Sequence, residues 1–564
     1  MSFATTLRNA SPPDRNDRRW VYVPYDQLTA EVGPLSRLDP AEAGIVLVET
    51  TWKPALRPYH RQKLATLLTA QRHFALEQAE RGVAVRYLFD HRPYSAVLKE
   101  VLGELGSLSM MEAAERELRH DLRQLADGDL EVVPHEGWLS TEADFAKGAG
   151  EQPPWRMDRF YRHLRQRTGI LMEDGSPAGG RYSHDGDNRE RWIEGESPEP
   201  PAPPEFAVDA ITEEVVNLIE TRLDRHPGRL RPERIAASRD DVEALWAWAR
   251  ECCMESFGPF EDAMTVHSTS LFHTQISPQL NLHRLLPQRI VDDVLDLDIP
   301  LSSKEGFVRQ VLGWREFVRH VHLATDGFRR LPGADGPDLQ NAASRPGDGG
   351  YSRWTGQPWI PGDRNVGLGC GGSLVSMQEA DTDLPAAFWG QPSGLHCLDH
   401  VVETVWDEGW SHHITRLMVL SNLATLLALS PRQLTDWFWV AYTDAYDWVV
   451  EPNVLGMGTF AAGGIMTTKP YVSGAAYISK MSDYCGRCAF NPRTNCPITR
   501  MYWAYLGRHA ERPQFRDNRR LSLPLASLRK RPEAKRQEDE RITAVVQEAL
   551  AAGRRLEPGD LKPA

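Results

Sequence analysis

The 564-residue chain contains no apolar run of about 18 residues, so no membrane-spanning helix is expected. Its opening stretch, MSFATTLRNASPPDRNDRRW, lacks the apolar core and small-residue cleavage site of a secretory signal, which places the protein in the cytoplasm. Cysteine is scarce: Cys252, Cys253, Cys370, Cys397, Cys485, Cys488 and Cys496 form an odd set that argues against a disulfide framework. Basic charge is not in excess. With 65 basic and 78 acidic residues the net charge is -13, which excludes a surface attractive to nucleic acid throughout and leaves room only for a local basic groove. No internal repeat occurs. Apolar residues at 41% and charged residues at 25% lie near globular averages and exclude wholesale disorder. The length allows roughly two to four domains.

Several regular elements are legible. Residues 20–28, WVYVPYDQL, read as a strand running into a polar turn, and 44–49, GIVLVE, as a buried parallel strand ending in a carboxylate. Residues 60–80 carry apolar residues at helical spacing and stop before Gly82, after which VAVRYLF gives another strand. A helix near 93–105, a strand near 107–111, a helix near 112–126 and the strand LEVVP continue the alternation. Residues 1–140 are therefore expected to form an open α/β domain with a Rossmann-like parallel sheet. Residues 141–230, with GSPAGGRYSHDGDNRERW and SPEPPAPPE, are too rich in Gly and Pro for regular structure and read as a connector. Residues 231–525 are helical in period, with segments at 240–256, 304–323, 397–429, 431–450 and 496–509. Residues 526–564 read as a peripheral charged tail with a solvated helix.

Three constellations carry chemistry. YCGRCAFNPRTNCP places Cys485, Cys488 and Cys496 in a Cx2C-x7-C run, whose spacing lets thiolates converge on one centre. Zinc and an iron-sulfur cluster both accept such a set, and a fourth ligand must come from elsewhere, with Cys397 or Cys370 available. In WDEGWSHHITRLMVLSNLATLLAL, residues 406–429, a single helix would place Trp410, His413 and Arg416 on one stripe: a flat ring, a proton carrier and a fixed cation. Nearby in type are Trp314 and Arg315 of GWREF, and the turn LFHTQISPQLN, whose hydroxyls ahead of a proline suit a phosphate. In RMDRFYRHLRQR, Arg156, Arg159 and Arg162 form a helical stripe with Phe160 and Tyr161 interleaved. That pattern suits a DNA backbone with aromatic support, or equally an ordinary charged helix.

In this order YDQL, PPWRMDRFYRHLRQRTGILM, FGPFEDAM, LFHTQISPQLN, RQVLGWREF, FWGQPSGLHCLDH, GWSHHITRLM, DAYDWVVEPNVLGMGTF, TKPYVSGAAYISKMSDYCGRC and CPITRMYW resemble the photolyase and cryptochrome superfamily. The likeness is to its iron-sulfur bacterial branch and spans most of the chain. It implies an α/β antenna domain, a helical domain holding FAD, and a [4Fe-4S] cluster on Cys397, Cys485, Cys488 and Cys496. Cys370 is then an unligated loop thiol. The antenna of this branch is a ribityl lumazine, 6,7-dimethyl-8-ribityllumazine, expected at Asp26 and Glu49 where strands end. Thr274, Gln275 and Ser277 are expected near the FAD phosphates, with Arg315, Trp410, His413, Arg416 and Asp444 bordering the flavin. Trp389 and Trp437 match the photoreduction wire, and Tyr471 and Tyr477 match phenols of the lesion pocket.

His412 and His413 match the paired histidines of (6-4) repair enzymes, where cyclobutane enzymes place Asn second and so lack a proton donor. The expected activity is light-driven repair of (6-4) pyrimidine photoproducts in UV-damaged DNA by a monomer. The alternative is a blue-light cryptochrome with the same cofactors and no repair. Arg181, Arg508, Arg519 and Arg520 are secondary DNA contacts. Two departures stand out. Relatives in the eukaryotic (6-4) group carry a further His where this chain has Leu417. The family's flavin-facing Glu follows Trp-Val directly, whereas here Trp448 and Val449 are followed by Val450 and only then Glu451, a shift of about 100° around a helix.

Overall fold

The computed structural model describes residues 2–332 and 373–562 except Asn16, Asp127 and Leu374, so Cys370 lies outside the described residues. Strands β1 (Arg19–Tyr22), β2 (Ala43–Thr50), β3 (Ala84–Asp90), β4 (Leu108–Met111) and β5 (Leu130–Val133) form one parallel sheet in the order β3-β2-β1-β4-β5. Every residue of β2 is buried, as a continuous apolar run in an α/β sheet requires. The chain reverses direction of growth between β1 and β4, and the crevice beyond their carboxyl ends is where open sheets of this kind bind ligands. The helices at Arg61–Glu80, Tyr94–Leu105 and Arg116–Ala126 match the periodicity closely. A short N-terminal helix, Phe3–Ala10, carried no strong sequence signal; it is capped by Ser2 and anchored by the buried Phe3.

The connector holds more order than its composition implied. Helices Glu142–Ala149, Met157–Thr168 and Ala210–Arg222 interrupt it, the first closed by a capping box on Thr141 and Asp144. The Pro-rich stretch is irregular, as read, whereas the Gly-rich one opens with a short antiparallel pair, Met172–Glu173 with Ser176–Pro177, and a 3-10 turn at Ala178–Gly180. The charged tail folds as helix Glu533–Ala551, but it is not simply solvated: Ile542, Val546, Ala549 and Leu550 are buried and the helix packs on Pro497–His509.

The expected helix across 406–429 is broken, which corrects the reading of Trp410, His413 and Arg416 as one helical stripe. Helix His396–Glu408 ends at Gly409, whose φ of 65° needs no Cβ, and helical structure resumes only at His413. Wide π-helical turns occur at Arg309–Arg315, Arg416–Ser421 and Glu451–Gly458. Such turns absorb a single extra residue, and π-bulges of this sort concentrate at functional sites.

Candidate active site

Two separate segments, carrying Ser277 and Arg416, meet on the Asp444 carboxylate, in the loop before helix Asp447–Val450. Ser277 Oγ donates to it at 2.7 Å, and Arg416 clamps it through Nη1 at 3.0 Å and Nη2 at 2.9 Å. Trp410 Nε1 donates to Ser277 Oγ at 3.3 Å, and Asn281 Nδ2 to the Asp444 carbonyl at 2.8 Å. The turn carrying Thr274 and Gln275 leads in, with Gln275 at a φ of 54°. Arg315 reaches the same turn through the Leu280 carbonyl at 3.4 Å. Its guanidinium lies 4.0 Å from the Trp138 ring centroid, its Nε and Nη1 are buried without a hydrogen-bond partner, and burial lowers its pKa to about 10. A buried cation with unmade hydrogen bonds, beside a hydroxyl-bearing turn and an indole, is a donor set that a large anionic, aromatic cofactor would satisfy.

Glu451 is not part of that group. Its carboxylate is fully buried and accepts from Arg432 Nη1 at 2.9 Å, meets His322 Nε2 at 3.0 Å and lies 3.3 Å from Arg329 Nη1. Glu451 thus sits in an internal ion cluster apart from the Ser277, Arg416 and Asp444 group. Glu451 opens the π-helical turn Glu451–Gly458.

On the other side of Arg416 the chain presents three imidazoles. His273 stacks on His412 with centroids 4.6 Å apart and planes 5° from parallel, and meets His413 edge-on at 5.4 Å. Burial depresses the pKa values of His273 and His412 well below the ordinary histidine range. The His413 side chain is 45% exposed, and its Nε2 lies 3.8 Å from Asp262 Oδ1. Tyr477 donates to the same carboxylate at 3.4 Å, while Arg189 approaches it at 3.9 Å. Tyr471 is half-buried in the same field of Asp185, Arg189 and Arg520. His413, Tyr477 and Tyr471 are thus brought together. His273 and Asp262 were missed as functional residues, although Asp262 lies inside the FGPFEDAM motif.

A line of rings runs outward from Arg416. Arg416 lies 4.1 Å from the Tyr442 centroid, Tyr442 is 6.0 Å from Trp437, Trp437 is 6.0 Å from Trp406, and Trp406 is 5.2 Å from the half-buried Trp389. Trp389 and Trp437 belong to one chain of rings, and Trp406 is the link between them that the sequence did not mark.

The two antenna candidates separate. Glu49 faces helix Arg61–Glu80, where Arg72 donates to it at 2.9 and 2.7 Å and Tyr87 at 2.6 Å, so it is spent on an internal pair away from the crevice. Asp26 sits just past β1 at the switch between β1 and β4, a position fixed by Gln27 Nε2 donating to the Glu112 carbonyl at 2.9 Å. Both Asp26 carboxylate oxygens are buried without partners, and burial raises its pKa to about 6. His283 Nδ1 meets the Asp26 carbonyl at 2.6 Å and packs 4.7 Å from His135, with Trp138 edge-on at 6.2 Å. His135 Nε2, His283 Nε2 and Trp138 Nε1 also lack partners. Several orphaned donors and acceptors around two rings fit a polar heteroaromatic ligand. No spacing in the sequence announces His135, Trp138 or His283.

Cys397, on the first turn of helix His396–Glu408, joins Cys485, Cys488 and Cys496 around one pocket walled by Leu395, Ala475, Ile478, Tyr484, Phe490 and Ile498. Burial raises the Cys397 and Cys485 thiols and pushes Cys496 up to about 12. The sulfurs ring the space widely: among the described residues, no three of them fall within 4.8 Å of one another. Four thiols around one pocket are a donor set that either zinc or an iron-sulfur cluster accepts.

Of the basic stripe, Arg159 and Arg162 are exposed on helix Met157–Thr168, while Arg156 is its N-cap and donates to the Trp155 and Gly464 carbonyls. Phe160 and Tyr161 are buried in the core, which removes them as stacking partners for bases. Arg181 pairs with Asp187, Arg508 donates to the Leu426 carbonyl, and Arg519 and Arg520 are exposed.

Residues 21–235 match the family described as deoxyribodipyrimidine photo-lyase-related protein. Over 530 residues the chain is 28% identical to a protein of Agrobacterium fabrum named (6-4) photolyase, covering 89% of this chain and 94% of that one. A Synechocystis cryptochrome structure superimposes with a TM-score of 0.54 at 14% identity, covering 94% of this chain and 99% of that one. A class III photolyase structure from Agrobacterium tumefaciens aligns over 96% and 98% at 14% identity, with a TM-score of 0.47. The resemblance read from the sequence is borne out as a similarity to a photolyase-related family and to a protein named (6-4) photolyase, and the fold, a parallel-sheet α/β domain followed by a helical region, is the one seen in the Synechocystis cryptochrome structure. None of the described helices is long and apolar enough to cross a membrane.

Proposed function

We propose that this protein is a light-driven DNA repair lyase acting on (6-4) pyrimidine photoproducts, with FAD, a [4Fe-4S] cluster and a ribityl lumazine antenna. The observation that carries the proposal is the position of His413. Its half-exposed imidazole shares the Asp262 carboxylate with the Tyr477 phenol, three residues from the Arg416 that clamps Asp444. The relative at 28% identity is named for the same lesion.

Residues Thr274, Gln275, Ser277 and Arg315 would hold the cofactor's phosphates, and Trp410, Arg416 and Asp444 its sugar and ring. When bound, FAD supplies the light-driven electron and takes it back once the linking bond has broken. The protein's own tasks are positional and acid-base. His413 gives a proton to the hydroxyl transferred between the two pyrimidines, with Asp262 and Tyr477 fixing the ring and the departing oxygen. His412, buried against His273, holds its neighbour in place. The line Trp389, Trp406, Trp437 and Tyr442 would refill the cofactor with electrons from the surface. Asp26, with His135 and His283, would bind the antenna, and the four cysteines the cluster. Arg159, Arg162, Arg519 and Arg520 supply phosphate contacts despite the acidic total, which makes binding strongly salt-dependent.

The test is illumination of the reduced protein with an oligonucleotide carrying one (6-4) lesion, beside a cyclobutane-dimer control. Light-dependent restoration of the (6-4) strand alone is expected, and His413→Asn abolishes it. If the flavin photoreduces while neither lesion is restored, the repair reading fails.

A further inference from the structure

Strand β3 lies at one edge of the sheet. Val85 N donates to Ser11 Oγ at 2.9 Å, while Thr51 N, just past β2, donates to the Asp90 carbonyl at 3.1 Å. Peptide direction alternates along a strand, so Ala84, Arg86, Leu88 and Asp90 turn their backbone groups to β2, and Val85, Tyr87 and Phe89 turn theirs outward. Among the described residues, Ser11 makes the one hydrogen bond to that outward row, which leaves the N–H and C=O of Tyr87 and Phe89 open. Natural sheets blunt such edges with short strands, lysine or proline. The opposite edge strand, β5, is four residues long, whereas β3 has seven and neither lysine nor proline. Its one cation, Arg86, is turned to Asp14 and Glu104. Phe89 is 52% exposed, and a groove of about 500 Å³ runs beside the edge, walled by Phe3, Leu7, Trp20, Tyr87 and Phe89.

We propose that the open half of β3 is the interface of a homodimer, in place of the expected monomer, in which two copies of β3 pair antiparallel about a twofold axis at Leu88. Because Ser11 holds Val85 N, only Tyr87 and Phe89 have free backbone groups to give. An antiparallel pairing that uses both sets Tyr87 opposite Phe89 of the partner subunit and Phe89 opposite the partner's Tyr87, each pair exchanging both of its hydrogen bonds. The same register places Leu88 against the partner's Leu88, and Arg86 against the partner's Asp90 as an opposite-charge pair. Moving the twofold axis to Tyr87 would need Val85 N and would set Arg86 against the partner's Leu88. Free backbone groups and charges therefore select one register. On the face that carries Tyr87, the partner's Phe89 enters the groove beside Phe3, which already lies edge-on to Tyr87 at 4.7 Å. The two five-stranded sheets then continue one another, and no open edge is left at β3. The interface is built from the α/β domain alone and depends on neither a cofactor nor the repair reading.

The full-length protein with its cofactors is tested by sedimentation velocity over roughly a hundredfold range of concentration. A mass of two chains is expected at the upper end, giving way to one chain on dilution. Phe89→Lys puts a charge into the pair, and Phe89→Pro removes the outward N–H without touching the ladder to β2, so each should raise the dissociation constant at least tenfold. Should one variant fold poorly by circular dichroism, the other decides. The register is read by cross-linking in a Cys252→Ser background, which removes an exposed native thiol. Leu88→Cys should join to its own copy under a mild oxidant, because residues directly opposite in a non-hydrogen-bonded pair lie within disulfide reach, whereas Arg86→Cys should not. A one-chain mass at every concentration, or a dimer indifferent to both Phe89 variants, overturns the interface. A dimer that Phe89→Lys dissolves but Leu88→Cys does not cross-link overturns the twofold axis at Leu88.

Discussion

Substituting Glu451→Gln separates a structural carboxylate from a flavin-facing one. The Glu451 side chain is fully buried among His322, Arg329 and Arg432. Replacing its charge with an amide keeps the shape but leaves the guanidinium groups facing a neutral group in low dielectric. Stranding a buried charge costs about 3–5 kcal/mol. Arg432 also pairs with Asp436, which retains part of the compensation, so a loss of about 2–3 kcal/mol is expected. For a helical region of roughly 300 residues that corresponds to a fall of about 3–5 °C in Tm. Burial alone would raise the Glu451 pKa, but Arg329, His322 and Arg432 together hold it well below the usual carboxylate range. A depressed pKa stabilises the fold above the unfolded value of about 4.3, and that stabilisation drains away as pH falls through the folded value. The gap between parent and variant in thermal unfolding should therefore be constant from about pH 6 to 8 and narrow below about pH 4. Flavin absorbance and the yield of light-driven reduction should be unchanged. An unaltered Tm with a shifted flavin spectrum would refute the reasoning and return Glu451 to the cofactor.

Trp406→Phe should slow light-driven flavin reduction to the level of Trp437→Phe, because it removes the ring between Trp389 and Trp437; transient absorption against a Trp503→Phe control checks it. Asp26→Asn should remove antenna absorbance while stabilising the antenna-free protein by up to about 3 kcal/mol at pH 7. The sign follows from a carboxyl whose folded pKa is raised by burial: its penalty is complete above about pH 6 and vanishes below the unfolded value near 4, so the gain from Asn should disappear in acid. Deleting residues 530–562 should uncover helix Pro497–His509 and release the 391–394 loop, which Gly553 and Leu556 hold through Gln391 and Ser393 just before Cys397. Iron content and visible absorbance per chain should fall together, and full iron retention in the truncated protein would count against the tail as a support of the cysteine pocket.

The parallel sheet was legible chiefly because β2 is buried on both faces, and burial of that kind writes itself as an unbroken apolar run. The sulfur pocket was half legible: three of its cysteines are local in sequence, while the fourth, Cys397, came from resemblance alone. Glu49 and Asp26 show where reading strand ends stops. Both follow apolar strands, yet β2 turns Glu49 under a helix toward Arg72 while the turn after β1 delivers Asp26 to the switch point. Which side a carboxylate takes depends on strand order, and strand order is a long-range property. His273, Trp406 and His283 escaped notice for a similar reason. Their partners lie between 17 and 257 residues away, and no periodicity connects them.

The break at Gly409 shows how residues read as one helical stripe come to face two directions. On one straight helix Trp410, His413 and Arg416 would share a single face and serve a single pocket. Ending the helix at Gly409 turns the next three residues through a corner instead. Trp410 can then swing back to Ser277 while Arg416 meets Asp444 from the following turn, so the pair closes on one group from two directions. His413, first residue of the resumed helix, is left facing outward toward Asp262 and solvent. A repair enzyme needs this division, because its electron source must be enclosed while its proton donor meets a nucleotide arriving from outside. Within seven residues one glycine-initiated corner provides both, and a substitution at Gly409 that forces continuous helix should disturb the cofactor-side and lesion-side groups together. The Cβ of any such residue would meet Thr443 at 3.1 Å and Gln62 at 3.2 Å, so the corner is also held by packing from the loop that carries Asp444.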